Sequence, residues 1–387
     1  MAGLVFPLRR CKAMVEGLSV LVIGGGIAGM SAAIALREAG CQVELVERDP
    51  LWRVYGAGIT ITGSTLRALK RLGVYEEIAA EGYVGDGIDV CSVDGRCLFQ
   101  IDTKSPAFGG LPSAGGILRP ALHSILSRRL LDLHPKVRLG VWPISFAWEG
   151  DRARVALSDG MSGQYDLVVG ADGIHSDTRK MLFSQLPAPA YAGQMCWRLM
   201  TDRHPQVERR MFFLGGPAKV GVNPVSRDLM YMFFLEAANT PLRRDEASQH
   251  EVLRTLLDRY GGVLKDLRDG IGPQSSIICR PLETLLAGDT WVHRNVVLIG
   301  DAAHATTPQL ASGAGMGVED GLVLAQEIAG GGNVQLALKR FMVRRYPRCK
   351  LVVEASLEIS RLERSQSDPQ AQALVLERAL DELSEEF

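Results

Sequence analysis

A short apolar run, Leu18–Ile23, leads directly into Gly24-Gly25-Gly26-Ile27-Ala28-Gly29 and then into a stretch of helical composition, Met30–Ala39, closed by Gly40. No other feature restricts the fold of this chain so sharply. A continuous apolar run suits a strand buried on both faces of a parallel sheet. At the strand–helix junction each glycine of Gly24-x-Gly26-x-x-Gly29 has a separate task. Gly24 permits a tight turn, Gly26 lets backbone approach a diphosphate, and Gly29 allows close helix–strand packing. The amides of the first helical turn, around Ile27 and Ala28, would face that diphosphate from the positive end of the helix dipole. Gln42–Val46 reads as a second strand, which completes a βαβ start. Glu47 follows the glycines by roughly twenty residues, where an acid accepts ribose hydroxyls, and Arg48 beside it is a second candidate contact. A glycine pattern alone can be a simple turn. Strand, helix and terminal acid together point to a bound dinucleotide.

Composition narrows the class. The chain has 387 residues, with 43 Lys+Arg against 44 Asp+Glu, which lacks the basic excess of a general nucleic-acid binder. No apolar run approaches the roughly 18 residues of a membrane span. Seven cysteines form no Cys-x-x-Cys pair, so they read as reduced thiols of a cytoplasmic protein. Residues 1–17 carry Arg9-Arg10 and a short apolar stretch. They read as a poorly ordered extension, with Met14 an alternative start, rather than as a targeting peptide.

Farther along, Ser64–Leu72 and Pro120–Leu131 read as helices, and Val137–Val141, Arg152–Leu157 and Tyr165–Val169 as strands. From about Tyr191 to Arg280 the pattern changes to short alternating runs, Met211–Leu214, Lys219–Val225 and Leu229–Leu235, divided by turn residues. These predict an antiparallel sheet, followed by a helix over Ala247–Tyr260. Asn295–Ile299 is again a buried-type strand. Val318–Ala329 and Val334–Leu362 read as helices, the latter broken near Pro347, and the tail from Asp368 is helical.

Two later corners resemble the first. Asp166–Gly170 leads into Ala171-Asp172-Gly173-Ile174-His175-Ser176 and on to Arg179. An ordinary reading makes Asp172 a helix cap. Val296–Ile299 leads into Gly300-Asp301-Ala302-Ala303-His304 and Pro308, and Ser312-Gly313-Ala314-Gly315-Met316-Gly317 then opens a helix containing Glu319-Asp320. Asp301 stands where ligands bind in doubly wound sheets and can accept a ribityl hydroxyl. The glycines leave amides at a helix N-terminus free to face an electron-rich ring edge. His304, between alanines, reads as structural. No metal-ligand set is assigned.

The three motifs in this order and spacing resemble the class A FAD-dependent aromatic hydroxylases, the para-hydroxybenzoate and salicylate hydroxylase superfamily, over about residues 18–350. Gly56-Ala57-Gly58-Ile59, Leu118-Arg119-Pro120 and Gly193…Trp197-Arg198 add to the match. The resemblance implies an α/β fold. A Rossmann-like FAD-binding domain (18–190 and 283–330) would carry an inserted antiparallel-sheet substrate domain (191–282), with C-terminal helices (331–387). It implies FAD contacts from Ala57 in a flavin-edge loop and from Arg119. Asp172-Gly173 would hold both FAD and the nicotinamide nucleotide, and Pro308 would lie near the isoalloxazine. The chain departs from the family at Ser312-Gly313, where Gln-Gly is usual, at Gly321 in place of alanine, and at Thr62-Gly63-Ser64, where asparagine is frequent.

The implied chemistry belongs to the cofactor. NADH or NADPH, bound transiently, would reduce FAD, and O₂ would form a C4a-hydroperoxyflavin that hydroxylates a small aromatic or heteroaromatic substrate. The helix start at Gly313–Met316 would neutralise reduced flavin. Substrate contacts are expected from the antiparallel sheet. By period-2 alternation Lys219, Gly221 and Asn223 share a face, and Tyr231 and Phe233 share one on the next strand. Lys219 is assigned as an anion anchor and Tyr231 as a hydroxyl partner with a catalytic role beside Pro308; the alternatives are a solvated lysine and a core tyrosine. Phe213 is a candidate pocket wall, with Met211 and Phe212, or else part of an apolar core. Arg198 is equally suited to the site or the surface, Arg344-Arg345 reads as a solvated face, and Cys196 and Cys279 as inert. A disulfide reductase lacks support, because no redox cysteine pair or second fingerprint occurs. A Trp-x-Trp-x-Ile-Pro segment, expected of a halogenase, is also missing. An epoxidase or reductase of the same fold, and a catalytically idle flavin-binding scaffold, remain open. The protein is expected as a monomer or homodimer.

Overall fold

The computed structural model describes residues 17–54, 56–365 and 369–387; apart from Gly17, the extension read at 1–17 lies outside them. Along the chain, β1 (Ser19–Ile23), α1 (Ile27–Glu38) and β2 (Gln42–Glu47) form the opening βαβ unit. After β3 (Gly58–Thr62) and α2 (Gly63–Arg71) come β4 (Ala114–Leu118), α3 (Arg119–Leu131) and β5 (Leu167–Gly170). The middle of the chain supplies β6 (Ala190–Asp202), β7 (Arg210–Leu214), β8 (Lys219–Pro224), β9 (Leu229–Ala237) and β10 (Ser276–Thr284). The chain then returns through β11 (Val296–Leu298) to α4 (Gly313–Ala329), α5 (Val334–Arg364) and α6 (Pro369–Ser384).

The central six-stranded sheet contains β11, β5, β1 and β2 as successive neighbours. Register aligns their C-terminal ends: Ile23 lies opposite Val46 on one side and Gly170 on the other, and Gly170 opposite Leu298. Three corners scattered over the sequence therefore meet along one edge, the position at which doubly wound sheets bind ligands. Val20, Leu21, Val22 and Val168 are fully buried, which explains the continuous apolar runs.

The second large sheet has seven strands in the order β10-β6-β9-β8-β7, followed by Ile88–Ser92 and Cys97–Ile101. Its last two strands come from a stretch expected to belong to the nucleotide-binding part. One pairing, β7 with Ile88–Ser92, is parallel. One face of this sheet packs on a core containing Trp197, Phe213, Val220, Met232 and Phe234; the other looks toward β3 and α5.

Two helices differ from expectation. Ala247–Tyr260 is not one helix: Gln249–Leu256 ends early, and Val263–Gly270 starts after Gly262, whose φ of 56° breaks the helical path. By contrast α5 runs unbroken for 31 residues through Pro347. The proline removes the amide that would bond to the Val343 carbonyl, but Val343 is 76% exposed, and on that face water can satisfy the freed group. No helix among the described residues is long and apolar enough to cross a membrane.

Candidate active site

At the first corner Gly24 has φ 106° and its amide donates to the Val46 carbonyl at 2.8 Å. A Cβ on Gly24 would stand 2.4 Å from the Ala171 carbonyl oxygen, whereas one on Gly26 would meet nothing within 4 Å. So Gly24 is forced by packing and Gly26 borders open space. The start of α1 has neither a side-chain cap nor an acid in its first turn, leaving its amides for an anion. Glu47 lies alongside, accepting from the Gly25 and Asp49 amides at 2.6 and 2.8 Å. Sequence reading passed over Trp52, whose indole N–H donates to the Gly25 carbonyl at 2.9 Å. Arg48 is turned to Asp177, at 2.6 Å, and to the Trp142 ring.

The second corner corrects an expectation. The Asp172 carboxylate accepts from Ser176 Oγ at 2.5 Å and from the amide and hydroxyl of Thr178, both at 2.9 Å. Both of its oxygens are engaged within the turn, but the cap of the helix that follows is Ser176, whose Oγ accepts from the Arg179 amide at 2.9 Å, rather than Asp172. Gly173 (φ 79°) has open space beside it. Arg179 ties this corner to the third, donating to the Ala302 carbonyl at 2.8 Å.

At the third corner Asp301 is exposed and opens a single helical turn after Gly300. A buried ionic cluster sits behind it. Asp320 Oδ2 accepts from the Gly300 amide at 2.9 Å and pairs with His304 Nε2 at 2.6 Å. Arg345 bridges Asp320 and Glu319, both at 2.7 Å, and reaches the Met316 carbonyl at 3.2 Å; Arg348 completes the set on Glu319. Burial alone would push the His304 imidazolium down, but Cys349 and Asp320 hold its pKa well above the ordinary value. Burial likewise opposes the Asp320 carboxylate, yet His304 and Arg345 pull its pKa well below the usual range. His304 is thus structural. Arg345, read as solvated, is fully buried: two acids on the inner face of α4 need cations, and α5 delivers them. His304, Asp320 and Cys349 are also grouped closely enough for a metal, but Arg345 lies among them, 3.5 Å from Cys349 Sγ.

The start of α4 is likewise uncapped and free of acids. The expected contacts there need revision. The Met316 amide donates to the Ser312 carbonyl at 2.9 Å, and its side chain is buried. A Cβ on Gly315 would fall 2.0 Å from Thr65 Oγ1, so that glycine serves packing on α2. The amides left free in the first turn are those of Gly313, Ala314 and Gly315. Gly321 has its own reason, since a Cβ there would lie 2.5 Å from the Ala32 amide nitrogen. Pro308 begins a short turn ending at Ala311 (φ 51°), and the buried Thr307 Oγ1 and Gln309 Oε1 on either side of it have no partner.

Opposite these corners, strand register arranges the second sheet's inner face in rows. Gly221 pairs with Phe233 and Phe212, and Phe233 with Arg198. Asn223 pairs with Tyr231, and Tyr231 with Met200; Lys219 pairs with Leu235, and Leu235 with Cys196. The Tyr231 row is roofed by β3: Tyr231 Oη is 2.6 Å from Thr60 Oγ1, and the Gly58 amide is 3.2 Å from Met200 Sδ. Leu357 of α5 packs on the Cys196–Leu235 cluster. Between them the row of Arg198, Phe233, Gly221 and Phe212 is left half-open. Two expectations fail here. Phe213 points to the opposite, core-forming face, because it pairs with Val220, one residue out of phase; Phe212 takes its place, 6.0 Å from the Phe233 ring in edge contact. Lys219 is no free anion anchor: its ammonium pairs with Glu363 of α5 at 2.8 Å. Asn223 is 2% exposed with Oδ1 unpartnered.

Arg119, Arg198 and Arg210 have no side-chain hydrogen bond or ion pair among the described residues. Burial lowers the Arg119 pKa, the Arg198 charge lowers it further, and Asp301 opposes both. Arg210 is lowered by burial and held up by Tyr83, Tyr231 and Asp86. Arg119 and Arg198 are neighbouring cations with no ion-pair partner among the described residues, and such a pair attracts an anion. Arg210 carried no sequence signal beyond its charge.

These features define a two-part site, a dinucleotide-binding sheet edge facing an aromatic and cationic sheet surface. The residues fit FAD: open space at Gly26, two uncapped helix starts, and Arg119 near Asp301. The FAD binding domain family model matches residues 17–356. A putative FAD-dependent monooxygenase, YetM of Bacillus subtilis, is 30% identical over 358 residues, covering 92% of this chain and 96% of that protein. The 2-heptyl-3-hydroxy-4(1H)-quinolone synthase of Pseudomonas aeruginosa is 34% identical over 319 residues, 80% of each chain. Among solved structures, Klebsiella pneumoniae HpxO complexed with FAD and uric acid matches with a TM-score of 0.82 at 23% identity, over 95% of this chain and 93% of that one. The chain belongs to the FAD binding domain family, among the FAD-dependent monooxygenases of the class A hydroxylase type.

Proposed function

We propose that this protein uses NAD(P)H and O₂ to hydroxylate a small aromatic or heteroaromatic substrate held between the Pro308 turn and the row of Arg198, Phe233 and Phe212. The carrying observation is the apposition of that half-open row to the three aligned corners. When bound, FAD would supply the redox chemistry: accepting a hydride, reacting with O₂ and delivering one oxygen atom. The chain's residues do the rest. Gly26 and the start of α1 would hold the diphosphate, with Glu47 beside the ribose. Asp301 would accept a ribityl hydroxyl, and Arg119 would offset negative charge. Amides at Gly313 and Ala314 would stabilise charge at the ring edge. Phe212 and Phe233 would orient the substrate ring and exclude water, with Tyr231 and Asn223 at its polar rim.

Residues 18–190 with 283–330 serve as the FAD-binding part in this reading, and 191–282 as the substrate part, to which 88–101 contributes strands. No second nucleotide fingerprint occurs, which supports transient use of the nicotinamide. The six described cysteines are all unpaired, which supports a reducing, cytoplasmic setting.

The test is NAD(P)H oxidation by the FAD-loaded protein with and without a panel of aromatics, with ¹⁸O₂ incorporation read by mass spectrometry. Label in a ring hydroxyl supports the reading. Label in an epoxide would favour the epoxidase alternative. Absence of substrate-stimulated oxidation across the panel would leave the idle scaffold.

A further inference from the structure

The floor of the candidate substrate surface holds a polar group that the reading above leaves unexplained. Lys219, on β8, lies on the same face as Gly221 and Asn223, in the row next to Phe233 and Arg198. Its ammonium is 2.8 Å from Glu363 Oε1. Glu363 stands at the end of α5 with its side chain only 7% exposed. Its other oxygen accepts from Gln309 Nε2 at 3.1 Å. Gln309 directly follows Pro308 and also donates to Gln194 Oε1 at 3.0 Å; Ser360 donates to that same oxygen at 2.6 Å. Residues from β6, β8, the Pro308 turn and α5 therefore share one hydrogen-bonded network. The carboxylate at its centre offsets the Lys219 ammonium.

We infer that Glu363 is a specificity-determining residue: by neutralising Lys219 it makes the pocket floor uncharged, so that this end of the site takes a neutral, hydrogen-bonding edge of a ring, and an anionic group is directed to Arg198. The inference rests on the inner face being the substrate surface. The physical argument is one of competition. A substrate carboxylate approaching Lys219 meets an ammonium already paired at hydrogen-bond distance with a shielded carboxylate, and would bring a second negative charge next to the first. A neutral amide or lactam edge meets no such repulsion. It finds in Gln309 Oε1 a buried acceptor without a partner, whose desolvation a ring N–H would relieve. In the adjoining row, two strands away on β6, Arg198 has no hydrogen-bond or ion-pair partner among the described residues and is the cation left for an anionic substituent. The pocket is thus polarised from β8 to β6.

The experiment is equilibrium binding, not turnover. FAD-loaded wild type and Glu363→Gln are titrated with benzoate and benzamide, and with nicotinate and nicotinamide, followed by perturbation of the flavin absorbance and by calorimetry. Removing the offsetting charge in an isosteric variant should tighten the carboxylates by about tenfold while leaving the amides within about twofold. Adding Lys219→Met to that variant should abolish the gain. Should Glu363→Gln fail to retain FAD, Lys219→Gln gives the reciprocal reading. It leaves Glu363 unpaired and should weaken the carboxylates by about tenfold relative to the amides. Equal changes for both members of a pair, no change, or no binding of any probe to either protein would overturn the inference. Because only binding is read, an absence of hydroxylation would count against the proposed function without deciding this point.

Discussion

Gly29 sits so close to Gly24 that a Cβ on Gly29 would stand 2.0 Å from the Gly24 carbonyl oxygen. The corner that would cradle the diphosphate is therefore held by direct contact between the first helix and its own entry loop. Gly29→Ala should force the loop away from α1. We expect a loss of about 1–3 kcal/mol in stability, read by urea unfolding, together with reduced flavin content after purification. Wild-type flavin content at wild-type stability would contradict the close-contact argument.

Asp301 has a different expected signature. Its carboxylate is exposed and bears no part of the core, so Asp301→Ala should leave unfolding unchanged. Loss of a charged hydrogen bond to a ribityl hydroxyl should weaken FAD affinity about ten- to a hundredfold. Reconstitution of the apoprotein, followed by flavin fluorescence, measures this, and an unaltered dissociation constant would remove the assigned role.

The ionic cluster under α4 predicts a steep stability cost. Arg345→Met leaves Glu319 and Asp320 buried with fewer cations and should cost about 3–5 kcal/mol, measured by chemical denaturation.

The same cluster sets a pH dependence. His304 is raised in the folded state, so its contribution is complete below the unfolded value of about 6.5 and fades as pH rises through the folded one. Asp320 is lowered, so its contribution is complete above about 3.9 and fades as pH falls through its folded value. His304→Gln should therefore flatten the decline of Tm on the alkaline side of neutrality. An unchanged slope there would mean that His304 is not charged in the fold.

Arg198→Met should raise KM for carboxylated aromatics by about ten- to a hundredfold and leave neutral analogues nearly unaffected, as expected for loss of one hydrogen bond to a charged group. A uniform rise across both sets would place Arg198 with the flavin instead.

Much of the nucleotide-binding edge was legible because its constraints are local. Glycines at Gly24, Gly26 and Gly29, an acid at Glu47 and Asp301 at a strand end each follow from chain geometry within a few residues. The substrate face was less legible for an equally physical reason. Alternation correctly grouped Lys219, Gly221 and Asn223, but only cross-strand pairing shows that Tyr231 and Phe233 share their face, and that Phe212 rather than Phe213 joins them. Charge partners were least legible. Nothing near Lys219 in sequence points to Glu363, and nothing near Arg345 points to Asp320, because such pairs form between elements far apart in the chain. Asp172 was less legible for a local reason, since Ser176 and Thr178 engage its carboxylate within the turn and the helix cap falls to Ser176.

The unbroken course of α5 through Pro347 joins Arg345, packed beneath the start of α4, to Glu363, paired with Lys219 of β8. Glu363 also lies past residue 356, where the match to the family model ends. In the reading proposed above, cofactor retention and ligand discrimination would depend on different stretches of one helix. A chimera exchanging only the last turns of this helix would exchange the ligand preference and leave the flavin in place.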